Sequence, residues 1–314
     1  MIKYYRTDDG VIYEIEDIED GCWIKMDRPT YEECTHIANK LDVDIADIRA
    51  ALDDEESARI SLETGYTLIL VDIASAEVRN NTEAYTTIPL GIILKQNCIV
   101  TVCGKETPVL TYFTEGSVKD FSTKKKMRFV YQILYRTSVN YQLCLRVINR
   151  KRTHIEERIN EDDTENVDLI NLHELESNLV YFVTSLRGNG AVLERLTRYE
   201  RIKQYPEDKE LLEDVIIENK QAIEMTQVYR DIINGTRELL STVINNRLNN
   251  VMKYLTSVTI VLAIPTVISG LYGMNVSGEG MPFANIPGGF GLICVVTAVI
   301  CAIAAFLLRK RNML

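Results

Sequence analysis

The residue types that usually carry catalysis occur in this 314-residue chain, but their spacing assembles nothing. Seven cysteines (Cys22, Cys34, Cys98, Cys103, Cys144, Cys294 and Cys301) include no CxxC pair. The histidines, His36, His154 and His173, lie far apart, and none stands in metal-ligand spacing with a cysteine. They read as helix-surface or interface residues. No GxxxxGK[ST] loop is present to cradle a nucleotide phosphate, which argues against ATP-driven transport. No nucleophile, base and acid stand out as a set, so the chain is not expected to be an enzyme. What does stand out is a row of small and weakly polar residues. Asn249, Met252, Thr256, Thr259, Ala263, Thr266 and Gly270 follow one another at alternating steps of three and four, which puts them on one helix face. Uncharged hydroxyls and a carboxamide along one face can line a wet path, or they can bond to a neighbouring helix inside a membrane. The face opposite the row holds Val258, Val261, Leu262 and Ile268. Beyond it stands Asn275, whose carboxamide can meet a ligand or cap a helix end.

The elements that must hold this row are unusual in charge. The chain carries 35 basic and 45 acidic residues. From Arg247 onward only Arg247, Lys253, Arg309, Lys310, Arg311 and Glu279 are charged, which leaves 30 basic and 44 acidic residues in 1–246, a net charge of −14. The mean hydropathy of −0.05 averages over two different parts. Residues 254–271 and 290–308 hold no charge at all, and each run is long enough to cross a bilayer core as a helix. Basic residues flank both runs on their outer sides, whereas the connection 272–289 has no Lys or Arg. The positive-inside rule then places both termini in the cytosol and the connection outside, in a cell (inner or plasma) membrane. Gly278, Gly280, Pro282, Pro287, Gly288 and Gly289 make that connection a loop. Two helices cannot enclose an aqueous path, so conduction requires several copies around an axis.

The acidic body argues against a nucleic-acid partner, whose phosphates need a basic surface. It is compatible with divalent cations or simply with solubility. The N-terminus runs into acids rather than an apolar core, so no secretory signal is expected, and the thiols are expected to be reduced. Residues 1 to about 120 read as mixed α and β. Strands are expected over 66–73, 87–94 and 98–103, with Lys95-Gln96-Asn97 as a tight hairpin connection. Pro89 places the middle strand late or at an edge. Helical spacing covers 31–52. A long helix follows from Lys124, with Phe129, Ile133, Tyr141, Leu145 and Ile148 on its inner face. Another runs from Val167 to Tyr199, loosened at Gly188 and Gly190 and stopped by Pro206. From Glu207 to Leu271 the sequence reads as one helix of about 65 residues, or about 97 Å. Along it Ile216, Ile223 and Ile233 are expected to pack, while Glu213, Asp214, Glu218, Asp231 and Glu238 stay in water or face an axis. The expected fold is an α+β domain (a sheet with flanking helices), a long stalk helix and two C-terminal transmembrane helices. The boundaries fall at 1–206 for the domain, 207–253 for the stalk and 254–314 for the membrane part, whose basic tail is 309–314.

The first span ends in Tyr272-Gly273-Met274-Asn275, which resembles the signature of the CorA magnesium transporter family. Asn249 to Leu255 is similar to that family's pore entrance, Tyr229-Arg230-Asp231-Ile232 to its stalk, and Met281-Pro282 to its outer loop. The likeness covers residues 207–311 closely; over 1–200 only the plan of strands followed by long helices matches. The resemblance implies a funnel-shaped homopentamer whose first membrane helix lines a magnesium pore, with Co2+ or Ni2+ as further ions. It implies that Gly273, Met274 and Asn275 form the selectivity filter. It also implies that Asp214 is a regulatory metal ligand, with Asp53 or Asp54 as its partner. A solvated charge run accounts for those three acids equally well. The family commonly narrows its pore near the position of Ala263 with a bulky residue. Alanine there leaves Met252 and Leu255 as the main apolar gate.

Physical chemistry agrees with this assignment. Mg2+ gives up its water reluctantly, so a filter need not strip it, and a ring of Asn275 carbonyls can hold the hydrated ion weakly enough to release it. Gly273 is expected to allow an unusual backbone and close approach, and Tyr272 to anchor the helix end. Neither span contains an ionisable residue of the kind that carriers bury. That favours passive flow, which at about 4.6 kcal/mol for a divalent ion per 100 mV would over-accumulate it more than a thousandfold. Such a path needs a switch, and internal Mg2+ bridging carboxylates between subunits would supply one. Two alternatives remain: a zinc or other transition-metal transporter of the same fold, and a non-conducting membrane-anchored sensor or scaffold.

Overall fold

The computed structural model of the protein describes residues 1–79, 82–160, 166–200, 205–275, 281–283, 286–311 and 313. They form two compact units, 1–237 and 238–314. The first unit is built on a seven-stranded sheet of β1 (Ile2–Asp8), β2 (Val11–Ile15), β3 (Cys22–Asp27), β4 (Arg59–Leu62), β5 (Tyr66–Arg79), β6 (Thr82–Lys95) and β7 (Cys98–Cys103), in the order β2-β1-β3-β7-β6-β5-β4. Strands β3 and β7 pair in parallel and the other neighbours antiparallel. Helices α1 (Tyr31–Leu41) and α2 (Ile45–Ala50) cover one face. Helices α3 (Pro108–Thr114), α4 (Lys126–Asn160) and α5 (Asn166–Leu196) cover the other. Strand β5 shows why its sequence is a continuous apolar run rather than an alternating one. Leu68 and Leu70 pack toward α1 and α2, while Ile69, Val71 and Ile73 join the cluster under α3, α4 and α5. A strand buried on both faces needs apolar side chains at every position.

Several elements differ from their sequence signals for identifiable reasons. Asp9 and Gly10, both at positive φ, turn β1 into β2, as an Asp-Gly pair does in a tight hairpin. The helix expected over 31–52 is two. Asp42 takes the left-handed conformation that ends α1, and the Asp44 side chain caps α2 at Ala46 N. The β6–β7 connection is shorter than expected, since Lys95 closes β6 and Gln96-Asn97 makes the turn. Strand β6 is neither late nor at an edge, although Pro89 sits inside it opposite Asp72. At that position β7 has ended, its register with β6 starting at Leu90. The Asp72 N–H donates to Asn189 Oδ1 (2.8 Å), and Asn189 Nδ2 donates to the Asp72 carbonyl (2.7 Å). The missing proline N–H therefore breaks no ladder bond.

Asn189 lies between the two glycines that were expected to loosen α5, yet the helix runs through them to Leu196. A Cβ at Gly188 would sit 3.3 Å from Ala58 Cβ, and one at Gly190 3.3 Å from Asn219 Nδ2. Gly188 lets α5 approach the sheet closely enough for Asn189 to cap the open edge of β5, and Gly190 leaves room for Asn219, whose Nδ2 donates to the Leu186 carbonyl at 3.1 Å. Replacing Asn189 by leucine is expected to cost about 1–3 kcal/mol, because two backbone groups of Asp72 lose their partners. Denaturant unfolding of the full chain would read this, and an unchanged midpoint would refute it.

All five residues predicted on the inner face of α4 are fully buried. Pro206 does not stop α5, which ends ten residues earlier. It opens α6 (Pro206–Tyr272), a single helix of 67 residues, where the fixed φ of proline suits a first helical position. Asp208 accepts from Tyr205 N at 3.0 Å and so closes that end. Along α6, Ile233 is buried and Ile216 and Ile223 are half-buried, whereas Glu218 is not left to water: Gln142 Nε2 donates to it at 2.6 Å.

The second unit contains the C-terminal part of α6 and α7 (Gly289–Lys310). Both helices carry apolar windows long enough to cross a membrane, and those windows are almost entirely uncovered by protein. A soluble core helix of this composition would be buried. Gly288, at φ 87°, precedes α7, and a Cβ on Gly289 would lie 2.1 Å from the Phe283 carbonyl, so the turn entering α7 closes only with glycine there. Gly278 and Gly280 of the expected loop lie outside the described residues.

Candidate functional site

In the second unit α7 packs beside one face of α6. Ser257 Oγ donates to the Met313 carbonyl at 2.8 Å, and Cys301 Sγ to the Val261 carbonyl at 3.8 Å. Ser257 is fully buried, and Val258, Val261, Ile264 and Ile268 are half-buried. Leu262, expected on the same side, is 63% exposed. The small-residue row is left uncovered: Asn249, Met252, Thr256, Thr259, Ala263, Thr266 and Gly270 are all exposed in the single chain, as is Leu255.

The threonines of this row have a defined polarity. Thr256 Oγ1 donates to the Met252 carbonyl (2.7 Å), Thr259 Oγ1 to the Leu255 carbonyl (2.8 Å) and Thr266 Oγ1 to the Leu262 carbonyl (3.0 Å). Each hydroxyl has one proton to give, and here it is given to the helix's own backbone. The oxygen lone pairs remain to face outward. Outward-facing hydroxyl lone pairs of this kind suit the water shell of a cation, whose protons point away from the metal, and the Asn249 carboxamide adds both a donor and an acceptor at the end of the row.

At the end of α6 the Gly273 N–H donates to the Ser269 carbonyl (2.9 Å) and the Met274 N–H to the Leu271 carbonyl (3.4 Å), which closes the last turn. Asn275 is therefore not needed as the cap, and it is not among the residues at positive φ. Gly273 has no left-handed backbone either; its requirement is space, since a Cβ would sit 3.2 Å from the Ser269 carbonyl. Tyr272 Oη donates to the Pro282 carbonyl at 2.7 Å. This tie holds Met281-Pro282 against the helix end beside Gly273-Met274-Asn275. The sequence marked both segments, but only the structure joins them. Met274 is 53% exposed.

The acids proposed as regulatory metal ligands are exposed and lie on different elements. Asp214 is on α6, and Asp53 and Asp54 are in the turn after α2. Asp53 Oδ1 accepts from Glu55 N at 3.1 Å, an ordinary turn bond. Among the described residues no three Asp, Glu, His or Cys side chains of one chain converge as a metal site.

The model of the family described as CorA-like Mg2+ transporter protein matches residues 19–310. The cobalt/magnesium transport protein CorA of Methanocaldococcus jannaschii is 29% identical over 297 residues, covering 92% of this chain and 90% of its own. The protein of the same description from Thermotoga maritima is 25% identical over 228 residues, covering 72% of this chain and 64% of its own. The solved structure described as the complete structure of the CorA magnesium transporter from Methanocaldococcus jannaschii aligns with a TM-score of 0.83 at 25% identity, covering 99% of this chain and 98% of that one.

Proposed function

Since the chain belongs to the CorA-like Mg2+ transporter family, and is thereby a divalent-cation transporter with two C-terminal membrane helices, we propose that it works as a passive Mg2+ channel, with Co2+ or Ni2+ as further ions. Several copies, five by family likeness, surround an axis with the row Asn249 to Gly270 of each α6 turned toward it. The observation that carries this reading is the row itself: Asn249 to Gly270 stays uncovered along α6, while Ser257, Val258, Val261, Ile264 and Ile268 are covered on another face. Its threonine protons are bonded to the helix backbone, as in the other helical threonines of the chain, so the hydroxyls turn lone pairs toward a hydrated ion. Gly273, Met274 and Asn275 form the filter at the outer end, and the Asn275 carbonyls bind the ion's water without removing it. Met252 and Leu255 at the inner end are wide apolar side chains that close the path by excluding water. Both termini lie in the cytosol of an inner or plasma membrane, and the membrane potential drives entry.

Asp214, Asp53 and Asp54 supply the switch. Exposed carboxylates that meet across a subunit boundary repel one another. Internal Mg2+ bridges them and holds the closed state, and its loss lets the ring loosen.

The test is Mg2+ entry into liposomes carrying the full chain, under an inside-negative potential, with Mg2+ varied on the cytosolic face. Entry is expected to follow the potential and to fall as cytosolic-face Mg2+ rises, and Asp214→Asn should weaken that inhibition. Entry driven by a proton gradient alone would overturn passive conduction. Zn2+ entry without Mg2+ entry would favour the transition-metal alternative, and no ion entry at all would leave a membrane-anchored scaffold. Inhibition unchanged in Asp214→Asn would remove that residue from the switch.

A further inference from the structure

Helices α4 and α5 border a partly open cavity of about 410 Å³ in the first unit, whose lining includes polar side chains that the transport reading does not use. The cationic groups there are already engaged. Arg158 Nη1 lies 2.9 Å from Asp168 Oδ1, with Asp168 fully buried, and Lys151 Nζ sits 5.5 Å above the Tyr85 ring. Other groups on the same wall are not engaged. Asn178 is 1% exposed, and neither its Oδ1 nor its Nδ2 has a hydrogen-bond partner. One turn away on α5, Glu174 Oε1 is buried and equally without a partner. Asn171 lies one turn further along the same helix and lines the cavity, and His154 on α4 faces it, its Nδ1 3.9 Å from Glu157 Oε2. Leaving a buried carboxylate oxygen and a buried carboxamide unpaired would cost several kcal/mol on the ordinary scale of about 1–3 kcal/mol per group. Both side chains are therefore expected to meet an occupant.

The unfilled positions on Glu174 and Asn178 are mainly oxygen acceptors, and the single unpaired charge among them is negative. That pattern calls for a cation that presents protons. The cavity is far larger than a bare ion, and one carboxylate is too few to replace a full coordination shell. A small divalent cation that keeps most of its water and is held through one or two carboxylates fits both facts. We propose that the α4–α5 cavity of each chain binds a hydrated divalent cation, held by Glu174 and by the Asn178 carbonyl, directly or through the ion's water. Asn178 Nδ2 then donates to an outer water. The site lies within one chain, so it is distinct from any site that Asp214, Asp53 and Asp54 form between copies, and it does not depend on conduction. Its occupancy clamps α4 to α5.

The probe is Mn2+, used with the full-length protein in K+-containing buffer. Crystals grown with Mn2+ are expected to show an anomalous peak in the cavity within a water's reach of the Glu174 carboxylate. Glu174→Gln, which keeps the side-chain shape, should abolish the peak and weaken Mn2+ binding at that site by about 10–100-fold. Asn178→Asp should tighten it, which keeps the test readable should the glutamine variant fail to fold. Ordinary water in the cavity with Mn2+ bound elsewhere would overturn the proposal. So would a peak that persists unchanged in Glu174→Gln, or Mn2+ binding that neither substitution alters.

Discussion

Replacing Asn275 by alanine is expected to lower Mg2+ entry through reconstituted protein by roughly a hundredfold, while Tyr272, Gly273 and the fold of α6 are retained. Each carboxamide lost removes a hydrogen bond to the ion's water worth about 1 kcal/mol. In the proposed ring the loss is repeated in every copy, and three such bonds already amount to a hundredfold in ion capture. The helix end itself should survive. Its last turn is closed by the backbone of Gly273 and Met274, and the outer segment is tied by Tyr272 to the Pro282 carbonyl, neither of which involves the Asn275 side chain. Asn275→Asp should fail in the opposite sense: a ring of carboxylates holds the ion more tightly and slows its release, so Mg2+ binds better but passes more slowly. Flux assays with Mg2+ and a competing monovalent ion separate the two outcomes. Unchanged Mg2+ entry in Asn275→Ala would remove this residue from the filter.

The membrane part and the candidate site were more legible in the sequence than the sheet. Two uncharged runs with basic flanks fix membrane helices by the physics of hydration alone, and a three-and-four step fixes which residues share a face. What the row could not reveal was where its hydroxyl protons go. Thr256, Thr259 and Thr266 can each donate to their own helix or to a neighbour, and only backbone geometry decides that. Strands β5, β6 and β7 announced themselves as β-branched runs, but β1 to β4 did not. β1 and β2 are strongly polar (Lys3, Arg6, Thr7, Asp8, Glu14), and their signal was the Asp9-Gly10 turn rather than hydrophobicity. Pro89 and the glycines of α5 misled for the same reason. Each breaks a local rule, and each is accommodated by structure distant in sequence: β7 ends before it would need the Pro89 N–H, and Ala58 and Asn219 pack against the two glycines. The regulatory acids remained open because all three are exposed carboxylates, which a solvated charge run explains as well as a metal site does.

The largest loss of stability is expected from Trp23→Ala, at about 3–5 kcal/mol. Trp23 is fully buried in β3. Its ring lies 5.0 Å from that of Phe129 on α4, 5.2 Å from Tyr5 on β1, and 6.3 Å from both Phe113 on α3 and Phe121, mostly edge to face. The indole therefore joins the sheet to two of the helices that cover it, and truncation opens a cavity among rings too rigid to collapse into it. The indole N–H also donates to Thr101 Oγ1 on β7 at 2.8 Å, across the parallel pair of strands. Trp23→Phe separates the two contributions. It keeps most of the ring contact and removes the donor, so it should cost about 1–3 kcal/mol for the bond and the unpaired hydroxyl together. Helix content followed by circular dichroism during denaturant unfolding is the suitable readout, because the chain has no other tryptophan to report by fluorescence. Equal losses in the two variants would mean that the bond to Thr101, rather than the aromatic packing, holds the sheet to its helices at this point.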